Sequence, residues 1–547
     1  MKHFILFFFA TTLLCQGQIV NIPDANFKNA LVNGLSVNFD GSYMRVADAD
    51  TNNDGEIQVS EAEAVLGLFV DSKNIVSLIG LEYFINLERL EFDYNDVQNV
   101  NLNTLSRLKW LDCYSNQLTE IDLTSNQDLE TAYLGWNSIE FIDLSQNSAL
   151  IDLAIDANDL ASIDLSHNVN LGSLNIEINN LTELDVSNNL NLQWLQCNFN
   201  DIETLDVSQN TALTGLFFNN NQISQINVSQ HPVLRYLSGD NNLLNNLNLT
   251  SNIALEQLNV SNNQLNEIDV SQNNALQVLG INQNNLTSLN LTNNLLLSKL
   301  YFINNNISSI DVTQNTLLFT LYCSGNMLSN LDVTQNWRLG YLECQNNLLN
   351  SLDLSQTNQL QILKCEKNNL QELDVYEHSL LRQLSCYQNQ ITAINLSDTY
   401  NLESVKVYDN NLSELNLKNG NNDNIVSMRA DGNPNLVCIR VDDAVYANNQ
   451  SGWLKDNTAT YDEDCILGIV DIDSTNFILY PNPTTGKLII ESNQTINNID
   501  VYTHLGQLIL SVLNKNEIDI SHLNNGMYFI KITDEKGNTI VKKVLKE

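Results

Sequence analysis

Basic side chains are scarce: 25 Lys and Arg stand against 64 Asp and Glu in 547 residues, for a net charge of −39. Such a chain repels phosphate backbones and anionic lipid, which excludes nucleic acid and anionic membranes as partners. Histidine is nearly as rare. His3 falls in the N-terminal leader, His167, His231 and His378 at the outer turns of separate repeats, and His504 and His522 in the C-terminal domain, so they form no catalytic or metal cluster. After residue 14 no apolar run approaches the ~20 residues that a membrane-spanning helix needs. No G-x-S-x-G, H-E-x-x-H or phosphate-cradling glycine loop occurs, and the nine cysteines include no C-x-x-C pair.

What is present is a period. From Asn74 to Asn410 an asparagine recurs every 21 residues, 17 times without a gap, and five positions later a large aliphatic residue follows in the same phase (Ile79, Val100, Ile121, Ile268, Ile310, Leu415). A fixed period of this length means a solenoid, whose units bury their apolar faces only by stacking on neighbours. In the copy LEQLNVSNNQLNEIDVSQNNA, Leu255, Leu258, Val260 and Leu265 spell LxxLxVxxNxL. Alternation about Leu258 and Val260 suits a short strand, 21 residues leave no room for a full return helix, and IDVS predicts a second strand or extended turn. Asn263 stands where the strand turns away, and its amide can satisfy buried backbone groups of its own coil and the next. The pattern resembles the leucine-rich repeats over residues 67–436.

Residues 1–17 read as a secretory signal peptide: Lys2, an apolar run from Phe4 to Leu14, then the small residues Cys15 and Gly17. Lipidation at Cys15 is the other reading, which the large Leu14 before it disfavours. Residues 18–66 form an N-terminal cap, with a short helix after Asp24. Within it Asp50, Asn52, Asp54, Gly55, Glu56 and Glu61 fit D-x-N-x-D-G-x5-E, the calcium loop of EF-hands and dockerin-like modules. Hard oxygens at positions 1, 3 and 5, a carbonyl at 7, glycine at the sharp turn and a carboxylate at 12 are what Ca²⁺ requires. Structural calcium held by Asp50, Asn52, Asp54, Glu56 and Glu61 is one expectation; an acidic capping turn without metal is the other. GSYMRVAD before Asp50 is a poor entering helix, whereas SEAEAVLGL can form a helix covering the end of the solenoid.

Cys113, Cys197, Cys323, Cys344, Cys365 and Cys386 all lie a multiple of 21 from Val260 and are expected inside as small hydrophobes. Cys438 and Cys465 break that phase, in a C-terminal cap at 437–465 where Asp431 replaces the next asparagine. In a secreted chain they read as a disulfide, with a free pair as the alternative. This arrangement resembles the end cap of secreted leucine-rich repeat proteins of Bacteroidota.

A linker at 466–476 leads to residues 477–547, where seven lysines balance seven acids, so the whole net charge lies upstream. Alternating strands and glycine turns predict an antiparallel sandwich. Tyr480, Pro481, Asn482, Pro483, Gly506, and Gly526 to Phe529 (GMYF) closely resemble the C-terminal sorting domain of the type nine secretion system of Bacteroidota. The resemblance implies passage through the outer membrane by that machinery, followed by surface attachment or release.

The expected fold is therefore mostly β: a leucine-rich repeat solenoid with parallel strands, an EF-hand or dockerin-like cap before it and an immunoglobulin-like β-sandwich after it. The expected function is binding or adhesion, toward a protein or glycan, on the concave strand face. There the outward places of Gln257, Asn259, Ser261 and Asn262 are filled in N-terminal coils by Tyr94, Trp110, Tyr114, Tyr133, Trp136, Trp194, Phe199, Phe217 and Tyr236. With strands about 5 Å apart these rings are expected to form one continuous platform; stacking that merely stiffens the sheet is the other reading. Glu91, Asp93, Asp112, Asp152, Asp156 and Glu177 stand among them. A glycosidase using Asp112, Asp152 or Asp156 is the enzymatic alternative; a structural surface-layer protein is a third.

Overall fold

The computed structural model describes residues 17–40, 44–465, 477–492, 495–503, 507–535 and 539–547. Residues 1–16 of the expected signal peptide, the expected linker at 466–476 and Gly506 lie outside them. Two compact units result, Met1–Glu463 and Asp464–Glu547.

Each coil contributes one three-residue strand to a 20-stranded sheet. Pairing is parallel and in register, so that Leu237, Leu258, Leu279 and Leu300 sit side by side. The middle residue of each strand points inward and is fully buried, while its neighbours point outward. The places of Leu255, Leu258, Val260 and Leu265 are filled by buried apolar residues at nearly every level and make one continuous core.

Two asparagine ladders hold the coils together. Asn263 Nδ2 donates to the carbonyls of Val260 and Ser261, both at 3.1 Å, and of Gly239 at 2.9 Å, while its Oδ1 accepts from Leu244 N at 2.9 Å. The coil it joins to its own is therefore the preceding one rather than the next. The second ladder, ten residues later in the repeat, lies inside the outer turn. Asn273 Nδ2 donates to Leu249 O at 3.1 Å and Asn252 O at 2.8 Å, and its Oδ1 meets no hydrogen-bond partner among the described residues. His231, Thr357, His378 and Thr399 take this position in four coils, so the two histidines are buried ladder members.

The expected extended return segment forms a second parallel sheet only near the C-terminal end, from Ala393–Asn395, Glu414–Asn416, Cys438–Arg440 and Thr460–Asp462. Nor does the stacking end where the 21-residue phase does. Asp431 is passed over because the coil gains two residues, and Asn433 takes the ladder place, accepting from Leu412 N at 3.0 Å. Met428 pairs with Trp453, so stacked strands continue through the stretch assigned to the C-terminal cap. Cys438 and Cys465 are disulfide-bonded, and the other six described cysteines are free and buried.

At the N-terminal end, α1 (Ala25–Asn33) is capped by Asp24, whose Oδ1 accepts from Asn26 N and Phe27 N, both at 2.9 Å. Its Oδ2 accepts from Val76 N and Ser77 N, tying the cap to the first coil. Val37–Asn38 pairs antiparallel with Gly67–Phe69 and covers the sheet edge. No helix enters the Asp50 loop: Ala47 bridges to Val37 instead. The helix leaving it, α2 (Val59–Ala62), has four residues because the chain must return to the sheet at Gly67.

The second unit is a sandwich of a three-stranded and a four-stranded antiparallel sheet around Leu488, Ile490, Ile499, Val501, Ile530 and Ile532. Its opening YPNP turn is fastened to the last strand by one side chain: Asn482 donates to Lys543 O at 2.7 Å and accepts from Leu545 N at 2.9 Å.

Candidate functional site

Because every second strand residue points out, the concave face consists of parallel columns set by the repeat and filled differently at each level. The rings expected there do point outward, but they do not form one platform. Trp110 meets Tyr133 edge-on at 5.3 Å, and Tyr114 lies between Tyr94 and Trp136, at 5.5 and 6.5 Å. Trp194, three coils beyond Tyr133, packs on Phe217 at 4.9 Å and Tyr236 at 6.0 Å. Between these groups the strands Asp152–Ala154 and Ser173–Asn175 carry no ring, which is the physical reason for the break.

The clusters differ in freedom. Trp110 is held from behind by the Arg89 guanidinium at 4.0 Å, and the Tyr133 hydroxyl donates to Asp152 at 2.9 Å. Burial and then that bond push the Tyr133 phenol up to about 12. Trp194 lies over Gly215, where an added Cβ would come within 2.5 Å of the indole. Tyr94, Trp136 and Phe199 instead stand more than half exposed at the strand exit. Further rings continue the same columns toward the C-terminal end: Tyr301 against Tyr322 at 5.3 Å, Phe319 against Tyr341 at 5.2 Å, and Tyr387 stacked on Tyr408 at 4.2 Å. All but Phe319, which takes the place of Glu256 just before the strand, occupy the outward places of the 21-residue pattern, so extending that pattern past residue 236 would have found them.

Carboxylates line the same face. Burial, together with the charges of Asp112 and Asp71, pushes Asp93 up to about 6. Burial pushes Asp240 to about 6 as well, although Ser261 N and Asn259 Nδ2 donate to it. A shallow trough of about 240 Å³ lies between Tyr236 and Phe217 on one side and Tyr301 on the other, floored by Gln257, Asn259, Val278 and Gly280. Among the carboxylates considered for glycoside cleavage, Asp152 holds the Tyr133 hydroxyl and Asp156 accepts from Asn175 Nδ2 at 3.1 Å.

The Asp50 loop satisfies its oxygens internally. Asp50, almost fully buried, accepts from Asp54 N and Gly55 N, and Asn52 Oδ1 accepts from Asp54 N. Asp54 accepts from Glu56 N and Gln58 Nε2, and Glu61 from Thr51 Oγ1, Asn52 N and Gln58 N. Glu56 turns its carboxylate to Lys28 at 2.6 Å, leaving its main-chain carbonyl for the loop, and Gly55 takes the left-handed turn at φ +83°. The residue types and backbone turn thus suit a hard cation, while the helix–loop–helix frame is missing. Among the described residues, the acids whose oxygens lie within 4.8 Å of one another are Asp71, Glu91 and Asp93, outside this loop. Arg45 and Arg89 already pair with Asp71 and Glu91 there.

Comparison with known proteins bears on both units. Residues 478–547 match the family described as the secretion system C-terminal sorting domain. No curated protein matches the chain. Among solved structures, the functional domain of InlJ from Listeria monocytogenes is similar at 23% identity and TM-score 0.59, over 97% of this chain and 98% of that one. YopM from Yersinia enterocolitica is similar at 22% and 0.56, over 73% and 91%, and a Leptospira interrogans leucine-rich repeat protein at 22% and 0.53, over 64% and 94%. The InlJ domain is described as including a cysteine ladder; here Cys323, Cys344, Cys365 and Cys386 stack on four successive coils. No helix among the described residues is long and apolar enough to cross a membrane. The chain is a leucine-rich repeat solenoid followed by a type nine secretion sorting domain, and so a protein secreted or displayed at the outer-membrane surface.

Proposed function

We propose that this is a binding or adhesion protein that holds a macromolecular ligand, protein or glycan, on its concave strand face. The observation that carries the reading is the contrast within each strand. The inward place is aliphatic at nearly every level, whereas the outward places concentrate rings and carboxylates in separate clusters. The solenoid supplies a rigid frame on which such clusters are held without rearrangement. Protein and glycan arrays probed with the chain lacking its signal peptide test this, with Trp194→Ala/Tyr236→Ala as the comparison. Binding should fall by about 2 kcal/mol or more in the double variant. Failure of the wild type to retain any arrayed molecule refutes the reading in favour of a surface-layer role, and release of shortened glycans refutes it in favour of hydrolysis.

A second proposal concerns the cap. The side chains of Asp50, Asn52, Asp54 and Glu61 and the carbonyl of Glu56 would hold Ca²⁺, which would supply only charge neutralisation and loop rigidity. The complete set of ligand-type residues at the twelve-residue spacing and the left-handed turn at Gly55 support this, although Asp50 and Glu61 also accept hydrogen bonds within the loop. Calcium at about 1 mM should raise the melting temperature by mass action. No shift, with Asp50→Asn melting like wild type in calcium, would leave the loop as a hydrogen-bonded capping turn.

A further inference from the structure

The residue just before each inner-ladder asparagine has left-handed backbone in coil after coil, with φ between +49° and +56° at Tyr94, Ser115, Trp136, Ala157, Ile178, Phe199, Asn220, Asn241, Asn262, Gln283 and Asn304. The solenoid imposes this conformation, and asparagine or glycine meets it with least strain. From residue 220 onward the position is polar or, at Gly325, glycine. Only the N-terminal coils place Tyr94, Trp136, Ile178 and Phe199 there, bulky or β-branched residues for which this backbone is strained. These side chains are not core residues, being 58, 55, 44 and 55% exposed. Two local rules are thus broken together on neighbouring coils, which marks a site held for something other than stability.

The four side chains form a stripe along the exit rim of the concave face. Tyr114 fills the place beside Ser115, its ring 5.5 Å from Tyr94 and 6.5 Å from Trp136, and Ala157 leaves a notch before Ile178 and Phe199. Carboxylates alternate with the apolar groups, because Asp93, Asp156 and Glu177 directly precede the rim positions of their coils. Asp156 and Glu177 accept from the side-chain amides of Asn175 and Asn198, at 3.1 and 2.8 Å. Among the described residues no Lys or Arg pairs with Asp93, Asp156 or Glu177, since the nearby Arg45 and Arg89 are engaged by Asp71 and Glu91.

Building on the concave-face reading, we infer that the rim of Tyr94, Tyr114, Trp136, Ile178 and Phe199, with Asp93, Asp156 and Glu177, docks a polypeptide segment that interleaves basic and large apolar side chains. Charge complementarity selects the occupant: Asp93 stands beside Tyr94 and Glu177 beside Ile178, and coil spacing of about 5 Å brings Asp156 next to Gly135 and Trp136, so a lysine or arginine stem can lie on an apolar group while its head reaches the acid. A saccharide fits less well, because Ile178 offers no ring face to stack on, and neutral or acidic sugars bring no cation to the carboxylates.

The test uses the full chain without its signal peptide as bait for a random 12-residue peptide library. Enriched peptides should carry Lys or Arg among aromatic and aliphatic residues. The triple variant Tyr94→Asn/Trp136→Asn/Phe199→Asn installs the residue used by later coils, so it should bind the best peptide at least about tenfold more weakly while melting no lower than wild type. Asp93→Asn/Asp156→Asn/Glu177→Gln should weaken it by a similar factor and flatten its salt dependence. No enrichment, enrichment of acidic or uncharged peptides, or binding unchanged in the triple variant overturns the inference. So does a lowered melting temperature with unchanged binding, which would make the rim a scaffold. Glycan retention that survives the triple variant but is lost in Trp194→Ala/Tyr236→Ala would overturn this inference alone and leave the concave-face reading standing.

Discussion

The two ladders make opposite demands on their asparagines, and a pair of substitutions separates them. Asn263 must both accept from Leu244 N and donate to three carbonyls. Aspartate keeps the acceptor but loses every donor and sets a nearly buried charge against the carbonyls of Gly239, Val260 and Ser261. With about 1 to 3 kcal/mol for each buried group left without its partner, and more where a charge is involved, Asn263→Asp should cost about 3 to 5 kcal/mol locally. The outer ladder asks only for a donor: His231 Nε2 lies 3.0 Å from Val207 O, as the amide of an asparagine would. Restoring the common residue, His231→Asn, should therefore change stability by less than about 0.5 kcal/mol. Because solenoid coils open locally, a global melt dilutes the difference, and amide hydrogen exchange is the better measurement. Asn263→Asp should speed exchange at Leu244 and its neighbours by about two orders of magnitude or more, since each 1.4 kcal/mol is a factor of ten. His231→Asn should leave exchange at residues 205–235 unchanged. Equal effects from the two substitutions, or a Leu244 amide still protected in Asn263→Asp, would refute the division of labour.

Burial holds the His378 imidazole below its usual value although the backbone of Leu354 and Val375 raises it. The unfolded chain then binds the proton first, so stability should fall as pH drops through about 6.5, and His378→Thr, the residue of two neighbouring coils, should remove that arm from a plot of melting temperature against pH. Asp93 acts in the opposite direction: its folded value of about 6 lies above the ordinary 3.8, so the folded state binds the proton first. Its contribution should favour folding more as pH falls from about 6 to 4, and Asp93→Asn should remove about 1 kcal/mol of that change, discounted for partial exposure. Burial pushes the Cys197 thiol up to about 12 and raises the other five inward thiols as well, so all six should resist alkylation in the folded chain and react together on unfolding.

Residues that repeat in phase were the legible ones. Leu258, Val260 and Asn263 show strand, core and inner ladder because each place has one physical solution, filled the same way at nearly every level. The outer ladder at Asn273 shares the period, but His231, Thr357, His378 and Thr399 interrupt it, and only packing reveals that an outer turn can be buried. Asp431 falls where the phase predicts the next asparagine, yet Asn433 takes the place, since two inserted residues shift spacing without disturbing the stack. The Asp50 loop carries its ligand types in its spacing, and GSYMRVAD already reads as a poor entering helix, but the bridge from Val37 to Ala47 that takes its place is a contact no local motif encodes. On the concave face, the outward direction of Trp110 and Trp194 follows from alternation alone. Their division into clusters depends on what fills the intervening coils, and the strain at Tyr94 and Trp136 on a backbone angle visible only in three dimensions.

The constant 21-residue register has a genetic consequence. Any stretch of 21 residues within the regular array begins and ends at equivalent points of neighbouring coils, so its in-frame loss or duplication, 63 nucleotides of coding sequence, recreates the same junction. Removing residues 256–276, for example, brings Asn284 to the place of Asn263, with every ladder bond remade. Side chains on either side of the excised coil simply approach by one strand spacing, about 4.8 Å. Recombination between copies can therefore change the distance between ring clusters in steps of one coil without inventing a residue, and the array behaves as a ruler whose length and markings are separately heritable.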